Sequence, residues 1–236
     1  SFNQSTIYSM TDLLNHRGPV QKNHWNNNDN SVQFGHTRLS ILDLSINGLQ
    51  PMISSTGRFV ITYNGEIYNH LNLRKKLKFH QWKSTTDTET ILQHVEEFGI
   101  KKTLDSLEGM FSFAIWDKQN QELILARDRI GEKPLYYGII KGSFVFSSEL
   151  KPLKKNFKDN LHLDNEAIHF FLKRGYIPQP LSIFKNIKKL ESGCYLKLNK
   201  NKISNFYIKK YYDLKNISNN YNDFYKNYEY YKKTTF

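Results

Sequence analysis

The sequence predicts an α+β fold, with helices set apart from a largely antiparallel sheet. Three observations carry this prediction. Helical apolar periods occur among the first hundred or so residues and are interleaved with short β-branched and aromatic runs. From Gly109 onward, strand-like runs follow one another through turns too short for a parallel crossover. The 236 residues can bury a sizeable core, enough for one large domain and a tail.

Ser5 to Leu14 reads as a short helix, with Ser5 as N-cap and Ile7, Met10 and Leu14 on one face, stopped by His16-Arg17-Gly18-Pro19. Residues 32–36 and 58–63 cluster like strands, separated by a polar turn ending at Gly57. Asn69 can cap a helix through Leu77. Asp87 can cap another, whose stripe Ile91, Leu92, Val95 and Phe98 ends before Gly99. Strands follow at 110–116, 122–127, 135–140 and 143–147, the last two joined by a Lys141-Gly142 turn. Asp164 to Leu172 reads as one more helix, and Gly193-Cys194-Tyr195-Leu196 is strand-like. After Lys215 the chain is rich in Asn, Tyr and Lys with no apolar period, which suggests a mobile linker or a frame-disrupted end.

Composition narrows the function classes. No apolar run nears the roughly 20 residues needed to span a bilayer, and no secretory signal is visible, so a cytoplasmic protein is expected. Cys194 is the only cysteine, which excludes an intramolecular disulfide and a Cys-rich zinc site. The eight histidines give no helical His-x-x-x-His pair, so no metal is expected; His36, on a strand, reads as a packed residue. The net charge of +12 is spread over Lys pairs beside apolar or Asn-rich sequence, as on solvated faces, which disfavours a nucleic-acid partner.

Tyr63-Asn64-Gly65-Glu66-Ile67-Tyr68-Asn69 lies between Gly35-His36-Thr37-Arg38-Leu39-Ser40-Ile41 and Thr86-Asp87-Thr88-Glu89, and Arg127-Asp128-Arg129 leads into Gly131-Glu132-Lys133-Pro134-Leu135-Tyr136-Tyr137. In order and spacing these blocks resemble the glutaminase domain of the glutamine-hydrolysing asparagine synthetases, the class II amidotransferases. The resemblance runs to about Tyr211-Tyr212-Asp213-Leu214. It implies two stacked antiparallel β-sheets between helical layers, the αββα architecture of N-terminal nucleophile hydrolases. Residues 1–199 would form the glutaminase domain, and 200–236 a linker or the start of a synthetase domain.

The resemblance also assigns chemistry. Asn64 and Gly65 match the oxyanion pair, side-chain amide and backbone N–H, and losing one such donor costs about 2.7–4 kcal/mol. A glycine there would let substrate approach the backbone. Alone, Asn-Gly between apolar runs would read as a hairpin turn. Arg38 would bind the substrate α-carboxylate through its planar fork; standing alone it would read as an outward strand arginine. Asp87 and Glu66 would hold the α-ammonium, although an N-cap role accounts for Asp87 without any ligand. Arg127-Asp128 reads as a strand-edge ion pair beside a Gly-Pro turn, and Phe146 to Lys151 as structural. In His16-Arg17-Gly18-Pro19 the family's following aspartate is Val20.

The family opens with a strand such as Met-Cys-Gly-Ile-Ala-Gly-Phe, whose processed cysteine supplies the thiol nucleophile and, through its α-amine, the base. This sequence opens Ser1-Phe2-Asn3-Gln4. Ser1 lacks the Gly-Ile continuation and Cys194 lacks a terminal amine, so the nucleophile is absent and the fragment is expected to be inactive. The expectation is a glutaminase portion that binds glutamine and releases ammonia for ATP-dependent amidation of aspartate. ATP and Mg would belong to a synthetase domain in cis or on a complementing chain, and neither to this sequence, which has no Ser-Gly-Gly-x-Asp-Ser signature. Three other readings stay open: a non-catalytic glutamine-binding remnant, a sugar-amidating family member, and a basic protein whose Lys/Tyr-rich tail meets nucleic acid.

Overall fold

The computed structural model describes residues 3–39, 45–78 and 81–213. Ser1, Ser40 and Ile41 of the motif blocks, and the Asn/Tyr/Lys-rich stretch after Lys215, lie outside the described residues.

Strand β4 (Phe59–Ile67) explains the layering. Its odd positions Phe59, Ile61, Tyr63 and Ile67 pack with Leu73, Ile91, Leu92, Val95 and Leu104. Those partners lie on helices α2 (His70–Lys76) and α3 (Asp87–Ser106). Val60, on the opposite face, joins a second core cluster with Phe34, Trp116 and Tyr137. Period-two alternation thus buries both faces of one sheet. Beneath the far layer, a third cluster joins Val145 and Ile187 to Leu153 and Phe157. Leu153 and Phe157 belong to helix α4 (Leu150–Phe157), and Met10 of helix α1 (Gln4–Asp12) packs against the same cluster. The result is the αββα sandwich that the resemblance implies.

The larger sheet is antiparallel, in the order β11-β10-β6-β5-β4-β3. Its other members are β3 (Met52–Ile53), β5 (Gly109–Asp117), β6 (Glu122–Arg127), β10 (Cys194–Asn199) and β11 (Tyr207–Lys210). The second layer comes in two pieces. One pairs β1 (Gln21–Asn26) with β2 (Gln33–Arg38), and the other has the order β8-β7-β9, from β7 (Tyr136–Ile140), β8 (Ser143–Ser147) and β9 (Ile187–Lys189). The β7–β8 hairpin turns through Lys141 and Gly142 at φ 48° and 71°, the paired positive values of a two-residue type I′ connection. Helix α5 (Asn165–Arg174) is capped by Asp164, which accepts from the Glu166 and Ala167 N–H groups.

Several local expectations are corrected. The Asn3 side chain, not Ser5, caps α1, accepting from the Ser5 N–H at 2.6 Å. Asn69 precedes α2 but does not cap it with its side chain, which instead bridges the Ser106 carbonyl and the Glu108 N–H. Thr86, not Asp87, caps α3, accepting from the Glu89 N–H. The stripe-bearing helix does stop at Gly99 (φ 76°, ψ 168°), but a second helical stretch that the sequence reading did not mark follows it directly and runs on to Ser106. The Asn64-Gly65 pair sits inside β4 rather than in a turn, because the strand stays paired with β5 through Ile67.

Arg127 and Asp128 form no strand-edge ion pair with each other. Asp128, fully buried, accepts the N–H groups of Phe111, Ile130, Gly131, Glu132 and Lys133. Arg127 donates to the carbonyls of Gly131, Lys133 and Leu190 and to Gln179 Oε1. Charged side chains here replace the backbone partners that an irregular buried loop cannot find for itself.

Candidate functional site

The free edge of β4 builds the core of the site. Successive N–H groups along a strand point to opposite edges. Tyr63 N–H donates to Gln50 Oε1 at 2.7 Å and Ile67 N–H donates to Asp87 Oδ2 at 2.9 Å, so both point away from β5. Gly65, midway between them, turns its N–H to the same edge. Asn64 and Glu66 have the opposite side-chain parity and face the gap between the sheets, in the direction of Val60.

Gly65 is a glycine for a reason different from the expected one. A Cβ there would lie 2.2 Å from the Met110 carbonyl oxygen and 2.7 Å from Phe111 Cα, so the missing side chain permits close approach of β5.

Asp87 sits on the first turn of α3, buried, and its carboxylate turns toward β4. Oδ2 accepts from the Tyr63 hydroxyl at 2.6 Å as well as from Ile67 N–H. Because Thr86 takes the capping role, Asp87 is spared for this contact, and the helix N-terminus favours its negative charge. Burial, then the adjacent Asp87 charge, pushes the Tyr63 phenol far above its ordinary range, so it stays a donor. Thr86-x-x-Glu89 is the sequence signal that would have identified the cap.

Arg38 points inward and is 6% exposed. Its guanidinium donates to Gln21 Oε1 at 3.1 Å and to the Ser45 carbonyl at 3.0 Å. A Cβ on Gly48 would lie 2.2 Å from Arg38 Nη2 and 3.1 Å from Thr86 Cγ2, which places the guanidinium close to the start of α3. Gly18 allows the Arg38 backbone a similar approach, at 2.5 Å. The His16-Arg17 loop is tied to Glu149, through His16 Nε2 at 3.2 Å and Arg17 Nε at 3.7 Å.

One cavity of about 580 Å³ brings these groups together: Arg38, Asn64, Gly65, Glu66 and Asp87 all line it. So do residues that sequence reasoning did not assign to the site, notably Gly48, Gln50 and Tyr63, while His36, read as packed, lines it too. His36 Nε2 meets the Tyr63 carbonyl at 3.1 Å, and burial lowers its pKa to about 4, so the ring is neutral and Nε2 donates. The cavity continues between β2, where Gln33, Gly35 and Thr37 line it, and β8, where Ser143, Val145 and Ser147 do. Among the described residues each of these strands is paired on one side only, β2 with β1 and β8 with β7. Cys194 lies elsewhere, buried among Leu196, Leu198 and Leu190, and burial raises its thiol pKa. Among the described residues no cluster of three or more His, Cys, Asp or Glu could hold a metal, and no helix is long and apolar enough to cross a membrane.

A family described as glutamine amidotransferase domain matches residues 1–212. Asparagine synthetase [glutamine-hydrolyzing] 2 of Bacillus subtilis is 39% identical over 204 residues, covering 82% of this chain and 26% of the relative. Putative asparagine synthetase [glutamine-hydrolyzing] 2 of Methanocaldococcus jannaschii is 36% identical over 233 residues, covering 89% of this chain and 44% of the relative. The chain therefore spans less than half the length of these relatives. Among solved structures, glutamine phosphoribosylpyrophosphate amidotransferase from B. subtilis aligns with a TM-score of 0.52 at 20% identity, over 75% of this chain and 34% of that one, a likeness of fold.

Proposed function

Because the chain belongs to the glutamine amidotransferase domain family, we propose that residues 3–213 form a glutamine-binding glutaminase unit of the asparagine-synthetase type. The observation that carries this reading is the shared cavity, in which a buried guanidinium, a buried carboxylate and an edge-facing backbone N–H converge. Arg38 binds the α-carboxylate of glutamine. Asp87, through its Oδ1, and Glu66 hold the α-ammonium. The Asn64 amide and the Gly65 N–H receive the oxyanion that develops as the side-chain amide is attacked.

The nucleophile is the part that the described residues do not supply. Neither buried Cys194 nor any other described side chain combines a thiol with a free α-amine. The cavity between the single-sided edges of β2 and β8 suits one extended segment, and we place there a strand of the kind that resembling sequences carry, beginning with cysteine. Ammonia released at Asn64 and Gly65 would then serve amidation of aspartate by a synthetase module, and ATP and Mg would act at that module.

Titration calorimetry of the chain with glutamine tests the binding shell. Glutamine should bind, and Arg38→Lys and Asp87→Asn should each weaken binding by about tenfold or more through lost charge-assisted bonds. Ammonia release should be undetectable until the chain is prefixed with Cys-Gly-Ile-Ala-Gly-Phe. Absence of glutamine binding by the unaltered chain would sink the reading.

A further inference from the structure

We infer that Arg74, on α2, is a positioning residue for the substrate ammonium site. It rests on the proposed role of Asp87 and acts through the turn that delivers Asp87 to the cavity. The Arg74 guanidinium donates from Nε to Thr90 Oγ1 at 2.8 Å, from Nη1 to the Ser84 carbonyl at 3.0 Å, and from Nη2 to the Thr86 carbonyl at 2.6 Å. The last bond matters most. The Thr86 carbonyl lies in the same rigid peptide plane as the Asp87 N–H, so holding that oxygen fixes the angle at which Asp87 enters the helix. It also supplies a buried partner where Thr86 is still in extended conformation, at ψ 148°.

The clamp is two-sided. Glu89, 3.8 Å from Arg74 Nη2, accepts the Lys83 N–H at 3.0 Å through Oε1, and the Ser84 N–H and hydroxyl, both at 2.8 Å, through Oε2. Arg74 and Glu89 together therefore satisfy the amides of Lys83 and Ser84 and the carbonyls of Ser84 and Thr86. Trp82 closes the arrangement, with its ring 4.0 Å from the guanidinium carbon. The three acceptors are met by three different nitrogens of one planar fork, a span that the single nitrogen of a lysine ammonium does not cover. Arg74 does not line the cavity, and of its partners only Thr86 does, so Arg74 influences ligand through where it holds Thr86 and the Asp87 carboxylate that follows it.

The discriminating readout is recognition of the ammonium group rather than binding as such. The full chain is titrated with glutamine and with 4-carbamoylbutanoate, which is glutamine without its α-amine. The wild-type chain should prefer glutamine, and Asp87→Asn should abolish most of that preference. Arg74→Met should weaken glutamine binding by about tenfold and leave the amine-free analogue within about twofold. Arg74→Lys, which keeps the charge beside Glu89, should fold like wild type and still lose most of the preference. Either folded variant retaining the wild-type ratio overturns the inference while leaving the glutamine site intact. A wild-type chain that does not distinguish the two ligands overturns the Asp87 assignment itself, and the positioning role with it.

Discussion

The Tyr63 hydroxyl donates to Asp87 Oδ2 across 2.6 Å, joining the strand that carries Asn64 and Gly65 to the helix that carries the carboxylate. The two ends of a bound amino acid would therefore be held by parts of one hydrogen-bonded unit. Tyr63→Phe removes one charge-assisted bond and leaves Asp87 with Ile67 N–H alone. Stability should fall by about 1.5–3 kcal/mol. Urea denaturation of the two chains, with an unchanged m-value, is the check.

Gly65→Ala should be much more damaging than its size suggests. The new methyl would meet backbone atoms of β5, which cannot swing away without separating the central strand pair. A loss of several kcal/mol is expected, at or beyond the upper end of the usual range for overpacking, about 1–3 kcal/mol. Gly57→Ala provides the contrast: its Cβ meets nothing within 4 Å, and only the φ of 78° opposes it. Its cost should be about 1–2 kcal/mol. Similar costs for the two variants would refute the close-approach explanation of Gly65.

Asp128→Asn tests the other buried carboxylate. Its five backbone donors all need an acceptor, and an amide turns an N–H toward some of them. A destabilisation of about 3–5 kcal/mol is expected, the range for breaking a buried charged network. Amide exchange in 130–133 should rise well above that in β4, because these are the groups that lose their partner.

The histidines give stability a pH dependence with a defined sign. Burial is the leading cause of lowered pKa values at His24, His36, His70 and His94, and His36 falls to about 4. The unfolded chain takes up these protons near pH 6.5, whereas folded His36 resists until about pH 4. The unfolded state thus binds more protons across that window, and stability declines as the pH falls from about 6.5 to 4. His36→Asn should flatten the decline by up to about 1.4 kcal/mol per pH unit, read from urea midpoints at pH 7, 6 and 5. An unchanged slope would mean that the His36 ring is not held neutral by the fold.

Much of the framework was legible along the chain because it depends on neighbours in sequence. The alternation in 110–116 and 122–127, the Lys141-Gly142 hairpin and the Ile91–Val95 stripe reappear as β5, β6, the β7–β8 turn and α3. Polar β1 escaped notice, since Gln21-Lys22-Asn23-His24 carries no apolar period and is a strand only because β2 pairs with it. The capping errors at Ser5 and Asp87 have another cause. Adjacent hydroxyl, amide and carboxylate side chains compete for one helix end, and propensity alone does not choose between them.

By itself the sequence determined the fold class, the family and which residues belong to the motif blocks, since these rest on local periodicity, turn chemistry and motif order. Tertiary structure alone decided that Asp87 faces β4 instead of capping its helix, that Arg38 is buried beside Gly48, and that Gly65 is required by β5. It also decided that Arg127 and Asp128 serve a loop rather than each other, and that the second sheet is in two pieces around the cavity. Each of these depends on groups brought together by packing, as Tyr63 and Asp87 are across 24 residues of chain and Arg127 and Leu190 across 63. The direction of a polar side chain follows from which buried donor or acceptor most needs it, and that need exists only once the layers have closed.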